Sequence, residues 1–293
     1  MTIKIIGKGA WGKCIAEPLA ENGHTVVALG RGEIVLSESD IVVLAIPTNS
    51  IRDALKNIKE VKHLTIINCS KGIELNTHKL PFEIVQEALH PTTQYVTLLG
   101  PSFAHELQEK MPTLVNLGFT GQEAKAKRIK QLFETDYLRI HLVSGVASLE
   151  LAGAMKNIYA IACGIADGLG FGLNTRIKLI ITAIEEYYRL CEGLHYSLDT
   201  RGVSGVIGDF MLTGSSELSR NFQFGKFLVQ YPVEESLVRV GATVEGYTTV
   251  SSLAFLMEKA NVRLPLAVFV MTIVKENKNS HMKQQFLDFV KKV

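Results

Sequence analysis

Residues 2–12 read Thr2-Ile-Lys-Ile-Ile-Gly7-Lys-Gly9-Ala-Trp-Gly12, a short β-branched run followed at once by glycines in the GxGxxG spacing. Between a strand and a helix, the first glycine of this spacing makes the tight turn. The second lets the backbone approach a pyrophosphate, and the third allows close helix–sheet packing. The alternative is an ordinary strand-to-helix turn. The preceding strand, the following helix and the N-terminal position favour a dinucleotide site, where the start of the helix attracts an anion.

Outward from this loop, short apolar runs alternate with helical segments as far as residue 143. The runs lie at residues 3–6, 25–29, 41–46, 64–68, 95–99, 113–117 and 138–143. Near-continuous apolar strands separated by helices predict a mostly parallel sheet, buried on both faces, in a doubly wound α/β domain. Beyond Ser144 helical patterns take over, at residues 148–166, 175–192 and 245–260. We therefore predict an α/β dinucleotide-binding domain at residues 1–144 and an all-helical domain at 145–293.

Composition excludes several classes of protein. The chain has 293 residues, 47% of them hydrophobic and 20% charged, with a formal net charge of +2. This is ordinary globular composition without the basic patch typical of nucleic-acid-binding proteins. We find no apolar stretch of about 20 residues and no signal peptide. The cysteines and histidines lack metal-binding or disulfide spacing, so we expect a cytoplasmic protein with no metal, nucleic-acid or membrane partner.

The second predicted strand ends at Gly30-Arg31-Gly32, where a dinucleotide fold normally has an acidic residue that binds the adenosine ribose. Arg31 cannot accept a hydrogen bond. It either contacts adenine or a 2′-phosphate, which permits NADP, or it is a solvated loop residue. Only eight residues separate Arg31 from Asp40, fewer than the dozen or so of a usual parallel crossover. We expect a shortened crossover, a more open adenine side and weak cofactor binding.

A candidate acid–base group lies in the helical half. The segment 151–166 is apolar except for Lys156 and its neighbour Asn157. Burial lowers the pKa of a lysine toward neutrality, where it can exchange a proton. The alternative is a lysine whose charged end reaches water. The tandem Lys-Asn pair just after the predicted domain boundary favours the catalytic interpretation.

Two further candidates follow predicted strands. Lys71 comes after the strand at 64–68, at the carboxyl end of the sheet where open α/β folds bind ligands. On that position alone, a surface lysine is the simpler interpretation. The segment Gly100-Pro-Ser102-Phe-Ala104 also follows a strand. It either closes over a ligand or carries Ser102 as the N-cap of the next helix.

The helical half supplies an acid and a group of donors. Asp209 is a suitable partner for a buried cation such as Lys156, or else a helix cap. The run Ser219-Arg220-Asn221 has the donors for a phosphate, which a guanidinium binds well. The alternative places Arg220 on a solvated helix face.

These motifs together resemble those of the bacterial-type NAD(P)-dependent glycerol-3-phosphate dehydrogenases. The resemblance covers nearly the whole chain, and its most specific part is Glu150–Asn157 followed by Asp167-Gly-Leu-Gly-Phe-Gly-Leu-Asn-Thr175. It implies a Rossmann-type, mostly parallel sheet followed by an all-helical domain. It also implies interconversion of glycerol 3-phosphate and dihydroxyacetone phosphate with NAD or NADP, in a cleft between the domains, supplying phospholipid synthesis.

The resemblance also implies residue roles. Lys156 is then the proton donor or acceptor at the substrate oxygen, with Asp209 beside it. The implied substrate contacts are Lys71, Gly100, Ser102, Asp209, Ser219, Arg220 and Asn221. The implied cofactor contacts are Gly7, Gly9, Ala10, Trp11, Gly12, Arg31, Lys71, Ala104, Arg220 and Glu245. Oligomeric state stays open, with a homodimer as one option.

The chain departs from the family pattern in three places. Ala10 stands where the family often has Ser, Pro18 interrupts the first helix, and a segment is missing after Arg31. A helix-interior proline costs about 3 kcal/mol, so we expect a kink or an early end near Pro18.

Two rival functions remain. One is another lysine-dependent two-domain reductase, of a hydroxyacid or ketopantoate, whose substrate carries a carboxylate instead of a phosphate. The other is a non-catalytic dinucleotide sensor, which the presence of Lys71 and Lys156 disfavours.

Overall fold

The computed structural model of the chain describes residues 1–30, 32–199, 203–276 and 281–292. By its internal contacts the chain divides into two units. Unit 1 comprises Met1–Glu74, Lys79–Glu150 and Ser197–Val206, and unit 2 comprises Leu75–His78, Leu151–Tyr196 and Ile207–Val293. The functional division at residue 144 remains a prediction.

Unit 1 is built on one seven-stranded sheet. Its strands are β1 (Thr2–Ile6), β2 (Thr25–Leu29), β3 (Ile41–Leu44), β4 (Thr65–Asn68), β5 (Gln94–Leu99), β6 (Thr113–Phe119) and β7 (Leu138–Ser144). Their order across the sheet is β2-β1-β3-β4-β5-β6-β7, and neighbours are parallel except β5 and β6. The predicted mostly parallel α/β sheet is confirmed.

Two apolar cores flank this sheet. The helices are α1 (Ala10–Glu21), α2 (Ile51–Leu55), α3 (Pro81–Ala88), α4 (Ala104–Gln108) and α5 (Glu123–Phe133). Successive side chains of a strand point to opposite faces. Val43 therefore packs in the core that α1 and α5 cover, whereas Val42 and Leu44 pack in the core formed with α2 and α3.

The edge strand β2 is thinly covered. The chain leaves β2 at Leu29 and enters β3 at Ile41, on the far side of β1. The described residues 32–40 are turns and irregular chain, which confirms the predicted shortened crossover. Val27 is 38% exposed, and a cavity of about 490 Å³ lies beside α1 and β2.

The first helix continues through its proline. Pro18 lies inside α1, and the N–H of Asn22 donates to the Pro18 carbonyl at 3.1 Å. The predicted early end near Pro18 is therefore wrong. Because Pro18 is close to the C-terminal end of the helix, the lost N–H interrupts the hydrogen-bond ladder near its end.

Beyond β7, all the secondary-structure elements of the described residues are helices. The helices are α6 (Val146–Gly168), α7 (Leu173–Gly193), α8 (Val203–Ser215), α9 (Arg220–Leu228), α10 (Val233–Val240), α11 (Glu245–Ala260), α12 (Pro265–Glu276) and α13 (Met282–Val290). The predicted helices at 148–166, 175–192 and 245–260 correspond to α6, α7 and α11. Among the described residues, no helix is long and apolar enough to cross a membrane.

Candidate functional site

The glycine loop between β1 and α1 is tight at two positions and open at a third. Gly7 has a φ of 125°, and a Cβ there would lie 2.3 Å from the carbonyl oxygen of Ala45. A Cβ at Gly12 would lie 2.1 Å from the Gly7 carbonyl oxygen, whereas a Cβ at Gly9 would meet nothing within 4 Å. Gly9 is the N-cap of α1, so the loop leaves space beside the free N–H groups of the helix start. This arrangement fits a pyrophosphate.

Three of the other predicted cofactor contacts of unit 1, Ala10, Trp11 and Ala104, lie among the described residues. Ala10 is the first residue of α1 and is exposed. Trp11 and Ala104 are partly buried and pack against the α1 core, so each also has a structural role. Arg31 lies outside the described residues, and both interpretations of it stay predictions.

A carboxylate that the sequence interpretation missed lies at the end of β2. Glu33 Oε2 accepts the Gly30 N–H at 2.6 Å and the Lys8 Nζ at 2.7 Å. The turn closes with the Glu33 N–H donating to the Gly30 carbonyl at 3.2 Å. The interpretation that no acidic residue stands at this strand end is therefore wrong for the folded chain. The hydrogen bond from Lys8, then that from Gly30, lowers the pKa of Glu33 below its ordinary value.

The ends of the neighbouring strands β4 and β5 bring three predicted substrate contacts together. Lys71 Nζ donates to the Gly100 carbonyl at 3.1 Å, and Ser102 Oγ donates to the same oxygen at 3.3 Å. The N-cap of α4 is Phe103, with no side-chain cap, so the capping interpretation of Ser102 is wrong. Lys71 is half-buried.

A buried network lies behind Lys71. Asn68 Oδ1 accepts the Ser70 N–H at 2.9 Å, and Asn68 Nδ2 donates to Glu150 at 3.1 Å. Glu150, 1% exposed, also accepts the Tyr95 hydroxyl and, at 2.9 Å, the Phe82 N–H. Burial raises the pKa of Glu150 to about 7 against the opposing effect of these donors. The network fixes the turn that precedes Lys71.

In unit 2, Lys156 is paired. Its side chain is 8% exposed, so the interpretation that its charged end reaches water is wrong. Nζ contacts the Asp209 carboxylate and donates to Thr213 Oγ1 at 3.0 Å. The predicted pairing with Asp209 is confirmed, whereas Asp209 lies inside α8 and does not cap it. Thr213 was not chosen as a site residue, although its spacing of four from Asp209 puts both on one helix face.

A chain of amides joins three helices of unit 2. Asn157 Nδ2 donates to Glu245 at 3.1 Å, and Asn221 Nδ2 donates to Asn157 Oδ1 at 3.0 Å. Asn221 Oδ1 accepts the Gly246 N–H at 2.8 Å. These bonds connect α6, α9 and α11, so Asn221 and Glu245 are held in place whatever else they bind.

The remaining predicted phosphate contacts lie at the start of α9. Ser219 is the N-cap, and its Oγ accepts the Phe222 N–H at 3.3 Å. Among the described residues the Ser219 hydroxyl donates to no acceptor, so its proton is available for a ligand. Arg220, the first residue of the helix, is exposed. That position agrees with phosphate binding and with a solvated face alike.

Comparison with known proteins points to one family for both halves of the chain. The model of the NAD-dependent glycerol-3-phosphate dehydrogenase N-terminus matches residues 32–125, and that of the C-terminus matches residues 145–283. A glycerol-3-phosphate dehydrogenase (NAD(P)+) of Maridesulfovibrio salexigens is 35% identical, with 95% of each chain covered. One of Halalkalibacterium halodurans is 31% identical over 99% of this chain and 94% of the relative.

A crystal structure shares the fold. The glycerol-3-phosphate dehydrogenase of Coxiella burnetii superimposes with a TM-score of 0.88 at 23% identity, over 99% of this chain and 98% of the other.

Proposed function

Because the chain belongs to the NAD-dependent glycerol-3-phosphate dehydrogenase family, we propose that it interconverts sn-glycerol 3-phosphate and dihydroxyacetone phosphate with NAD or NADP. In the reducing direction the product would supply phospholipid synthesis. The observation that carries the proposal is the buried Lys156, held by Asp209 and Thr213. Relatives named for this activity, at 31–35% identity over nearly the whole chain, support it.

The glycine loop of unit 1 would hold the dinucleotide. Gly7 and Gly12 shape the turn, and the open backbone at Gly9 with the start of α1 would bind the pyrophosphate. Ala10, Trp11 and Ala104, with Arg31, Lys71, Arg220 and Glu245, complete the proposed cofactor contacts. When bound, the nicotinamide would supply the chemistry of hydride transfer in either direction.

Lys156 would donate a proton to the substrate oxygen or accept one from it. Reduction of a ketone places negative charge on its oxygen, and a buried ammonium both stabilises that charge and donates a proton to it. The Asp209 carboxylate compensates the positive charge of Lys156 in its buried site, and Thr213 Oγ1 gives Nζ a second fixed partner. In the oxidising direction a neutral Lys156 would accept the hydroxyl proton.

Each unit carries residues that the family resemblance implies as contacts of the phosphorylated substrate. In unit 1 these are Lys71, Gly100 and Ser102, already joined through the Gly100 carbonyl. In unit 2 they are Ser219, Arg220 and Asn221 at the start of α9, with Asp209. The exposed guanidinium of Arg220 suits a phosphate because it offers a fork of donors.

A cytoplasmic location and the absence of nucleic-acid binding belong to the same proposal. Four free, buried cysteines support a reducing compartment. The net charge of only +2 supports the absence of nucleic-acid binding. A homodimer is the assembly to test first, by light scattering.

The direct test is oxidation of NADH, and separately NADPH, with dihydroxyacetone phosphate, followed by the nicotinamide absorbance. Turnover with either is expected. Measurable cofactor binding without oxidation of either NADH or NADPH would contradict the proposal. A second test separates this dehydrogenase from a hydroxyacid reductase. Glycerol phosphate should protect the enzyme against inactivation, whereas small hydroxyacids should not.

Replacement of Lys156 tests its role. Lys156→Ala should abolish turnover while NADH binding stays nearly intact, because the proton donor is lost. Lys156→Arg keeps a cation for Asp209 but cannot release a proton near neutrality, so it should be equally inactive. Lys178→Ala, which changes an exposed lysine bonded to a backbone carbonyl, is the control. Near-normal kcat in folded Lys156→Ala would contradict the assignment.

A further inference from the structure

Two hydrogen bonds hold the carboxylate of Glu33 at the end of β2. Its Oε2 takes the Gly30 N–H, at the end of β2, and the ammonium of Lys8. Lys8 lies between Gly7 and Gly9, inside the glycine loop. The ion pair therefore ties the end of the second strand to the loop that fits a pyrophosphate.

The position has a clear chemical meaning. In dinucleotide folds, a carboxylate at the carboxyl end of the second strand accepts the 2′-hydroxyl of the adenosine ribose. The same carboxylate disfavours a 2′-phosphate through like-charge repulsion. Among the described residues, Oε1 of Glu33 accepts no hydrogen bond, so an acceptor atom is available.

The ion pair with Glu33 also determines whether the positive charge of Lys8 is compensated. Its ammonium is paired with Glu33 and is therefore compensated. Without Glu33, the same ammonium would be an unpaired cation beside the loop, which is the charge that a 2′-phosphate requires.

We propose that Glu33, held by Lys8 and the Gly30 N–H, selects NAD over NADP by accepting the ribose 2′-hydroxyl. The inference rests on the proposed dinucleotide function and goes beyond it, since the names of the relatives cover both cofactors. Both residues are exposed, with side chains 54% and 52% accessible, so their replacement leaves the apolar core intact.

The test is equilibrium binding of NADH and NADPH, followed by nicotinamide fluorescence at low salt. The wild type should bind NADH about ten-fold more tightly, the value of one charge-assisted hydrogen bond. Glu33→Gln should weaken NADH and strengthen NADPH because Lys8 is released. In the Glu33→Gln background, Lys8→Met should remove the gain for NADPH and leave NADH unchanged. Added salt should reduce the gain for NADPH.

Glu235→Gln is the matched control, since Glu235 is also exposed and paired with a cation, Arg239. A wild type that prefers NADPH would overturn the inference. So would a binding ratio that Glu33→Gln changes no more than Glu235→Gln does. If dihydroxyacetone phosphate is still reduced, either result refutes the role of Glu33 and leaves the dehydrogenase intact. If neither nucleotide binds the wild type, both proposals fail.

Discussion

Glu150 and Glu186 are buried carboxylates with similar neighbours. Glu150 accepts the Tyr95 hydroxyl and the Phe82 N–H, and Glu186 accepts the Tyr159 hydroxyl and two backbone N–H groups at the start of α12. Burial raises the pKa of both, that of Glu150 to about 7. The donors oppose this shift, so each site balances desolvation against hydrogen bonding.

The raised pKa of Glu150 predicts a pH-dependent stability. A carboxyl that binds its proton more tightly in the native state stabilises the fold fully below the unfolded pKa, and this contribution is lost as pH rises through the folded pKa. The window therefore extends from 4.5 to about 7. Between these pH values the free energy of unfolding should decrease less with rising pH in Glu150→Gln than in the wild type. Urea titration at several pH values measures this difference.

The control for this prediction is Glu217→Gln, which changes an exposed carboxylate. Parallel pH profiles for the wild type and Glu150→Gln would contradict it.

Individual residues were predictable where one segment carried the signal. Lys156 stands out because its own helix is otherwise apolar, and Asp209 offers the opposite charge. Glu33 was not predictable in the same way. Its partner Lys8 lies 25 positions earlier, and the turn that returns the carboxylate to the strand end contains no strand or helix periodicity.

Helices α6 and α9 meet backbone to backbone. A Cβ on Gly164 of α6 would lie 2.0 Å from the carbonyl oxygen of Phe222 on α9. A Cβ on Gly225 of α9 would lie 2.1 Å from the carbonyl oxygen of Ile161 on α6. This contact brings Asn221 within hydrogen-bond distance of Asn157, so the glycines set the geometry of the amide chain.

A methyl group at this crossing should separate the helices. Gly225→Ala is expected to lower the free energy of unfolding by about 1–3 kcal/mol, as overpacking does. It should also reduce turnover, because Asn221 moves with α9. Chemical denaturation and steady-state kinetics measure the two effects.

Gly172→Ala is the comparison. Gly172 is the N-cap of α7, has a φ of −82°, and has open space where a Cβ would stand. Equal stability of the two variants would show that the α6–α9 contact is not tight.

At this scale the periodicity of the sequence gives most of the elements. The β-branched runs predicted the strands, and the apolar pattern predicted α6, α7 and α11. The antiparallel pairing of β6 with β5 was not assigned, because a strand's own residues do not encode its direction relative to its neighbours. The glycine contacts could not be predicted from the sequence either, because Gly164 and Phe222 lie in separate helices.

Across the whole molecule, the cysteines are buried and free. They are Cys14, Cys69, Cys163 and Cys191. Burial raises the pKa of each thiol to about 12, so the reactive thiolate is scarce at neutral pH.

The folded protein should therefore resist thiol reagents. Mass spectrometry after a short exposure to iodoacetamide is expected to find the native chain unlabelled and the denatured chain labelled at all four positions. Rapid labelling of any one cysteine in the native state would contradict this expectation and would locate a region that opens readily.

The short connection between β2 and β3 also bears on the order of folding. Loop closure costs more entropy as a loop lengthens, and contacts close in sequence form early. Strands β1, β2 and β3 are complete by Leu44, with only residues 30–40 between the last two. We expect this three-stranded part of the sheet to assemble first, while the ribosome is still synthesising the remainder of the chain.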